Sequence, residues 1–375
     1  MTVHDPLAAA RALRPLIEEH AHSDATPVAP EVVAALRESG LYGAMTPKEA
    51  GGLELSLEEN LDIVEEIASA DGSTAWTFMA VVTSSAFFGA WCGDAFVDEA
   101  FAGAVPLVAG QLAPNGVGTT VDGGHRVSGK FQFGSGIDHA DMVGMGFIVS
   151  DGDGPPEYRM GVVPRGAVTL TGNWDVMGLR ATASYDYTAD DVFVPEAASF
   201  SYAAPGSLAP VHRRGGAVYD LGVLILTCVG HAAWAIGLAR RALDELRELA
   251  PTKQRMGAPS VLAESERFLH DYARLEQRAL ASAGRTHEVF RQAQDAADLG
   301  TADAALSAEV RSTNAFVTEE AAEIIRGCYL LAGTSGLRSG PIERAFRDIH
   351  AGTQHAMVNP AHHIDWARHL MGPRD

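Results

Sequence analysis

The sequence predicts a mainly α protein with a central β domain. A helical N-terminal domain is expected over 1–104, a small β domain (a barrel or a sandwich) over 105–214 and a C-terminal helical bundle over 215–375. Two observations carry this. The flanks repeat apolar residues at spacings of three and four, the signature of one buried helix face. The middle holds 17 of the 39 glycines within 101–200, and Val, Phe, Tyr and Thr there alternate with polar residues between Gly, Pro and Asp turns.

The elements follow in order. Pro30 before EVVAALRESG starts a helix and Gly40 stops it. In SLEENLDIVEEIASADG, Leu57, Leu61, Ile63, Val64 and Ile67 share helical spacing, Ser56 is placed to cap the start and Gly72 follows the end. GSTAWTFMAVVTSSAFFGAWC is apolar on most faces and is expected to be buried. HRVSGKFQF, DMVGMGFIV, EYRMGVVP, AVTLTG and SYDYTADDVFVP are short strands of a small antiparallel domain. Helices are then expected near 216–250, 260–297, 302–332 and 341–352, broken by APTKQRMGAP and AGTSGLRSGP.

Composition sets limits. The 375 residues suffice for two or three structural units at ~100–200 residues each. With 47% hydrophobic and 20% charged residues, global disorder is excluded. The net charge of −20 argues against nucleic acid or an anionic membrane as the main partner, since either needs a basic patch. Cys92, Cys228 and Cys328 are too few and too scattered for a disulfide framework, which fits a reducing cytoplasm. The N-terminus lacks the apolar core of a signal peptide. Leu221 to Ala239 is apolar enough to span a membrane but lacks basic flanks or an aromatic belt, so a buried bundle helix is expected instead. No GxGxxG or GxxxxGK[ST] opens a βα unit, which leaves Rossmann and P-loop nucleotide sites unsupported.

Three runs carry the chemistry: GKFQFGSGIDHADMV (129–143), GLRATASYDYTADDVFVPEA (178–197) and AGTSGLRSGPIERAFRD (332–348). In that order they resemble the acyl-CoA dehydrogenase superfamily. The correspondence lies in the flavin-contacting strand, the G-x-R-x-(S/T) turn that includes Arg180, and the Gly-rich turn before P-x-x-R-x-x-R-D. The resemblance implies a flavoprotein of dimers or tetramers, with a helical N-terminal domain, a β-barrel middle domain and a C-terminal four-helix bundle. It places the Ser135 hydroxyl near flavin N5, and a flavin also needs a flat apolar wall and hydrogen bonds at its polar edge. Trp174, just before the GLR turn, is a candidate wall, with a core tryptophan as the alternative. Gly333, Thr334, Ser335 and Gly336 offer backbone N–H groups for phosphate or ring carbonyls, or simply a helix-to-helix turn. Lys253 and Arg255 lie where relatives present a cation to cofactor phosphate across a subunit interface. Here K-Q-R-M-G replaces the usual R-x-x-F-G, and a solvated loop is the alternative.

Acyl-CoA dehydrogenation needs a carboxylate base. Many relatives place it about nine residues after the Arg of R-D, which is Ala356 here, and no Asp or Glu occurs in 349–360. The expected middle loop T-E-P-x-x-G-S-D is replaced by QLAPNGVGTT (111–120). RDIHAGTQH (347–355) instead resembles the two-component flavin monooxygenases, whose R-D-(x)6-H histidine acts as a base on the substrate or tunes the flavin C4a-hydroperoxide. His355 takes that position, and histidine suits the task because it titrates near working pH. That branch implies reduced FMN or FAD from a partner flavin reductase, O2, and a small aromatic, polyketide or amino-sugar-like substrate.

A second histidine found in several of these hydroxylases would fall at Ser84, followed here by Ser85, so the two-histidine phenol site is incomplete and the pair is a candidate substrate pocket. Other functions remain open at this stage: a dehydrogenase or oxidase that keeps its flavin, and a non-catalytic flavin-binding relative. His362, His363, Asp365 and His369 are close in sequence but lack a metal-site spacing, so an amphipathic helix is expected and no metal. His139 is expected to serve a turn or an interface.

Overall fold

A computed structural model describes residues 5–21, 27–150, 155–202 and 208–372. Five helices come first: α1 (Pro6–His20), α2 (Pro30–Glu38), α3 (Leu57–Ala70), α4 (Gly72–Trp91) and α5 (Asp94–Ala100). Ser56 caps α3 in a reciprocal box with Glu59, whose carboxylate accepts the Ser56 N–H at 2.8 Å. The end of α3 is Asp71 rather than Gly72. Asp71 also caps α4, accepting the N–H of Thr74 at 2.8 Å, so two helices meet at one residue. Every residue of α4 except Ala80 is buried, as its apolar composition requires.

The middle of the chain forms one seven-stranded sheet in the order β5 (Thr169–Leu170), β6 (Tyr185–Pro195), β2 (Gly124–Gly134), β1 (Val108–Val121), β3 (Met142–Val149), β4 (Glu157–Pro164), β7 (Ser199–Ser201). It is mixed rather than wholly antiparallel, because β1 and β3 run parallel. The sheet rolls like a barrel. A Cβ at Gly161 of β4 would lie 2.7 Å from Val194 of β6, though these strands are far apart in the order. The edges β5 and β7 do not pair with each other among the described residues. QLAPNGVGTT is not a loop: it lies inside β1, with register shifts between Gln111 and Gly116 that absorb Pro114.

The bundle comprises α6 (Gly222–Leu249), α7 (Glu266–Asp298), α8 (Ala304–Ala332) and α9 (Pro341–Gly352), followed by α10 (Ala361–Met371). The apolar first half of α6 packs inside the protein against α3, α4, α8 and α9. A membrane is not needed to cover it. One continuous core runs from α1 through the sheet to α9.

Candidate active site

The centre of the molecule is Trp76 on α4. Its indole N–H donates to Ser135 Oγ at 3.2 Å. A buried Trp N–H needs such an acceptor. Ser135 follows the end of β2, between Phe133 at φ +60° and Gly136 at φ +77°. Gly136 is required there, because a Cβ would also stand 2.7 Å from Thr77.

From Ser135 a row of hydroxyls runs inward. Ser135 and Ser184 are 2.8 Å apart, Ser184 and Thr182 2.7 Å, and Thr182 donates to the Leu179 carbonyl at 2.8 Å. The last members sit in the GLR turn, which reverses through left-handed Leu179 and Ala183. Gly178 lies directly on the α9 backbone, where a Cβ would be 2.1 Å from the Arg347 carbonyl oxygen. Asp348 fixes the turn by accepting the Leu179 N–H at 2.6 Å. Burial, with Asp71 nearby, raises the Asp348 carboxyl to about 7. Trp174 donates to the Leu179 carbonyl at 3.1 Å and meets Phe133 edge-on. Phe133 is more than half exposed beside it, as is Met177 three residues on in sequence, so an open apolar surface lies next to the hydroxyl row.

The opposite side of Trp76 holds two histidines. His355 follows α9, and its Nδ1 accepts the N–H of Met357 at 3.2 Å. Its neutral form therefore carries its proton on Nε2. Burial lowers its pKa to about 4. The His231 ring from α6 lies 4.3 Å from that of His355, and Trp76 stands edge-on to both. Burial, aided by the neighbouring His355, also holds His231 well below its ordinary range. Trp234 completes the box, edge-on to Trp76 and donating to the Gly72 carbonyl at 2.9 Å. Gly352 gives both indoles room. Sequence reading selected Ser135 and His355 but missed Trp76, Trp234 and His231. Their only signal was polar or hydrogen-bonding atoms inside otherwise apolar helices.

The other candidates divide. Lys253 donates to Thr334 Oγ1 at 3.0 Å and Arg255 to the Leu331 carbonyl at 2.9 Å, which gathers both cations at the turn 333–336. This cluster makes no hydrogen bond or ring contact with the Trp76 site. Arg180 lines a separate cleft with Arg344, Arg347, Asp71 and Asp348. The Ser85 hydroxyl is already engaged: it donates to the Pro106 carbonyl at 2.7 Å and accepts the Val108 N–H at 3.2 Å. Its geometry ties β1 to α4 and leaves little for a substrate. Ser84 is buried one residue earlier. His362 donates to the Ala356 carbonyl at 3.2 Å and His363 pairs with Ser312 at 2.8 Å. Among the described residues no group of side chains is arranged to hold a metal. His139 joins the Val28 carbonyl at 2.8 Å, a tie between segments.

Comparison with known proteins agrees with this geometry. Residues 7–90 match the family Acyl-CoA dehydrogenase, N-terminal domain, and residues 229–360 match Acyl-CoA dehydrogenase, C-terminal domain. A pigment production hydroxylase of Rhodococcus sp. (strain ATCC 21145) is 31% identical over 96% of this chain and 93% of its own. Indole-3-acetate monooxygenase of Pseudomonas putida is 29% identical over 88% of this chain and 83% of its own. The crystal structure of 3-HSA hydroxylase from Rhodococcus sp. RHA1 superposes with a TM-score of 0.91 at 25% identity, covering 99% of this chain and 98% of that one. The chain belongs to the acyl-CoA dehydrogenase family, in its branch of flavin-dependent monooxygenases, and is an oxidoreductase.

A flavin fits the residues present. The isoalloxazine ring is flat and apolar with a polar edge. The open Phe133–Trp174–Met177 wall beside the Ser135–Ser184–Thr182 row offers the same two features side by side.

Proposed function

We propose that this chain is the oxygenase component of a two-component system. It would take reduced flavin from a separate reductase, act on an aromatic small molecule and work in a reducing cytoplasm. The observation that carries this reading is the juxtaposition at Trp76: a hydroxyl row and apolar wall on one side, two neutral histidines in an aromatic box on the other. The bound flavin supplies the activation of O2. The protein supplies the rest.

Ser135 would help hold the flavin's polar edge, and Trp174 would line the apolar face of its ring. The His355 ring is half-buried against Trp76 and His231, and this aromatic packing would limit water around a reactive oxygen donor. Of the two roles considered for His355, the hydrogen-bond donor is favoured over the base. Its Nδ1 lone pair is taken by the Met357 N–H, so Nε2 presents a proton. Names of relatives include an indole-acetate monooxygenase and a pigment hydroxylase, so an indole or phenol ring is the substrate class proposed. Acyl-CoA dehydrogenation is disfavoured, since 349–360 holds no Asp or Glu and Asp348, the acid nearest His355 in sequence, is bonded to the Leu179 N–H.

The working unit is proposed to be a homodimer or homotetramer. Met256, Leu330 and Leu337 are largely exposed around the Lys253, Arg255 and Thr334 cluster. A second copy would cover these apolar side chains and bring the cations to its flavin phosphate.

The reading is tested by holding the chain and an NADH-dependent flavin reductase on opposite sides of a dialysis membrane, with FMN or FAD, indole-3-acetate or indole, and 18O-labelled O2. One labelled oxygen atom in the product is expected. Oxidation of NADH to give hydrogen peroxide alone, across indoles and phenols, would contradict it.

A further inference from the structure

A second histidine of the reaction site was missing in sequence, where Ser84 occupies the expected position. The fold supplies one from elsewhere. His231 comes from α6, in the middle of the apolar run Leu221 to Ala239, and reaches the same aromatic box as His355. Its surroundings are unusual for a core residue. The side chain is 5% exposed, yet its Nδ1 is sealed without a partner, and among the described residues no hydrogen bond engages Nε2. The great majority of buried polar side-chain atoms have partners, and each exception calls for an explanation. The other three side chains of the box each make a hydrogen bond: Trp76 with Ser135, Trp234 with Gly72, and His355 at Nδ1 with Met357.

The two imidazoles also complement each other. His355 carries its proton on Nε2. With its ring 4.3 Å away, His231 complements that donor when the nitrogen it leaves open is the acceptor. The Trp76 ring lies across that of His231 at 74°, with the centroids 5.0 Å apart.

We propose that His231 is a substrate-binding residue of this site, accepting a hydrogen bond from the ring N–H or O–H of an aromatic substrate held against Trp76 and His355. The proposal deepens the functional reading above and rests on it. It makes the site selective for aromatic rings that carry a donor, and it gives the missing partner of His355 a position on α6 instead of α4.

The test compares indole, benzofuran and indene, which share a shape but present a donor, an acceptor and neither. Binding to the full chain is measured by equilibrium dialysis without flavin, so it does not depend on turnover. The wild type is expected to bind indole about tenfold more tightly than indene. H231F keeps an aromatic ring and should bind the two equally, with indene affinity unchanged, while H231Q, which retains an acceptor, restores part of the preference. Melting curves establish that each variant is folded. Indole preference that persists undiminished in H231F, or a wild type that does not distinguish indole from indene, overturns the proposal. Oxygen transfer is assayed separately on the wild type. A protein that prefers indole through His231 but transfers no oxygen would uphold this inference and refute the functional reading.

Discussion

Trp76 donates its indole N–H to Ser135 Oγ at 3.2 Å, and through this one bond a helix of the N-terminal region and the end of β2 share a site. Removing the acceptor leaves a buried N–H unsatisfied. S135A is therefore expected to lose about 1–3 kcal/mol of stability and to bind reduced flavin more weakly. Denaturant titration and anaerobic flavin binding check the two effects. Unchanged flavin affinity in folded S135A would remove Ser135 from the flavin edge.

His355 predicts an acid-side weakness. Its folded pKa of about 4 lies below its ordinary value, and His231 is shifted in the same direction. As pH falls, the unfolded chain takes up these protons first. The contribution of the neutral pair is intact above ~6.5 and is lost progressively toward about 4. Melting temperature should therefore fall less steeply for H355F than for the wild type over this interval. Parallel curves would contradict burial of a neutral His355.

Asp348 predicts the opposite slope. Its folded pKa of about 7 exceeds that of an ordinary carboxyl, so the folded chain holds this proton more tightly. Its contribution is complete at low pH and declines as pH rises through about 7. D348N keeps an oxygen for the Leu179 N–H and removes the buried charge. It should be indistinguishable from the wild type near the acid end and more stable above neutrality. Loss of stability above neutrality would show instead that the charged carboxylate holds the GLR turn.

Gly352 predicts a packing defect with a spectroscopic signature. A Cβ there would stand 2.3 Å from the Trp234 ring and 3.2 Å from Trp76. Overpacking of this kind costs about 1–3 kcal/mol. G352A should melt earlier with altered tryptophan fluorescence, because both indoles must shift. A normal spectrum would indicate that α9 ends farther from the box.

Adjacent serines on α4 should behave differently. S85A loses two backbone partners, the Pro106 carbonyl and the Val108 N–H, and is expected to cost about 1–3 kcal/mol. S84A is expected to stay within about 0.5 kcal/mol of the wild type, so any change in its substrate range reports the pocket. Equal stability losses would contradict this division.

The fold was largely legible because each helix and strand declares itself locally. Ser56 and Glu59 spell a cap, Gly178 and Arg180 mark a turn, and the spacing from Arg347 points to His355. Trp76 and His231 were not legible, since their roles exist only after α4 and α6 pack together with the end of α9. Ser85 illustrates the converse. A hydroxyl next to a candidate position read as pocket lining, while tertiary contact with the start of β1 satisfies it. The resemblance implied a loop at 111–120, and the bulges that admit Pro114 into β1 depend on the pairing with β3.

The most direct test of the account is the reaction of O2 with reduced FMN or FAD premixed anaerobically with the protein, followed in a stopped-flow spectrometer. The account predicts that the protein alters reoxidation, giving a long-lived flavin transient whose lifetime shortens in H355A. Reoxidation at the rate of free flavin, with no transient and no difference between wild type and H355A, would contradict it.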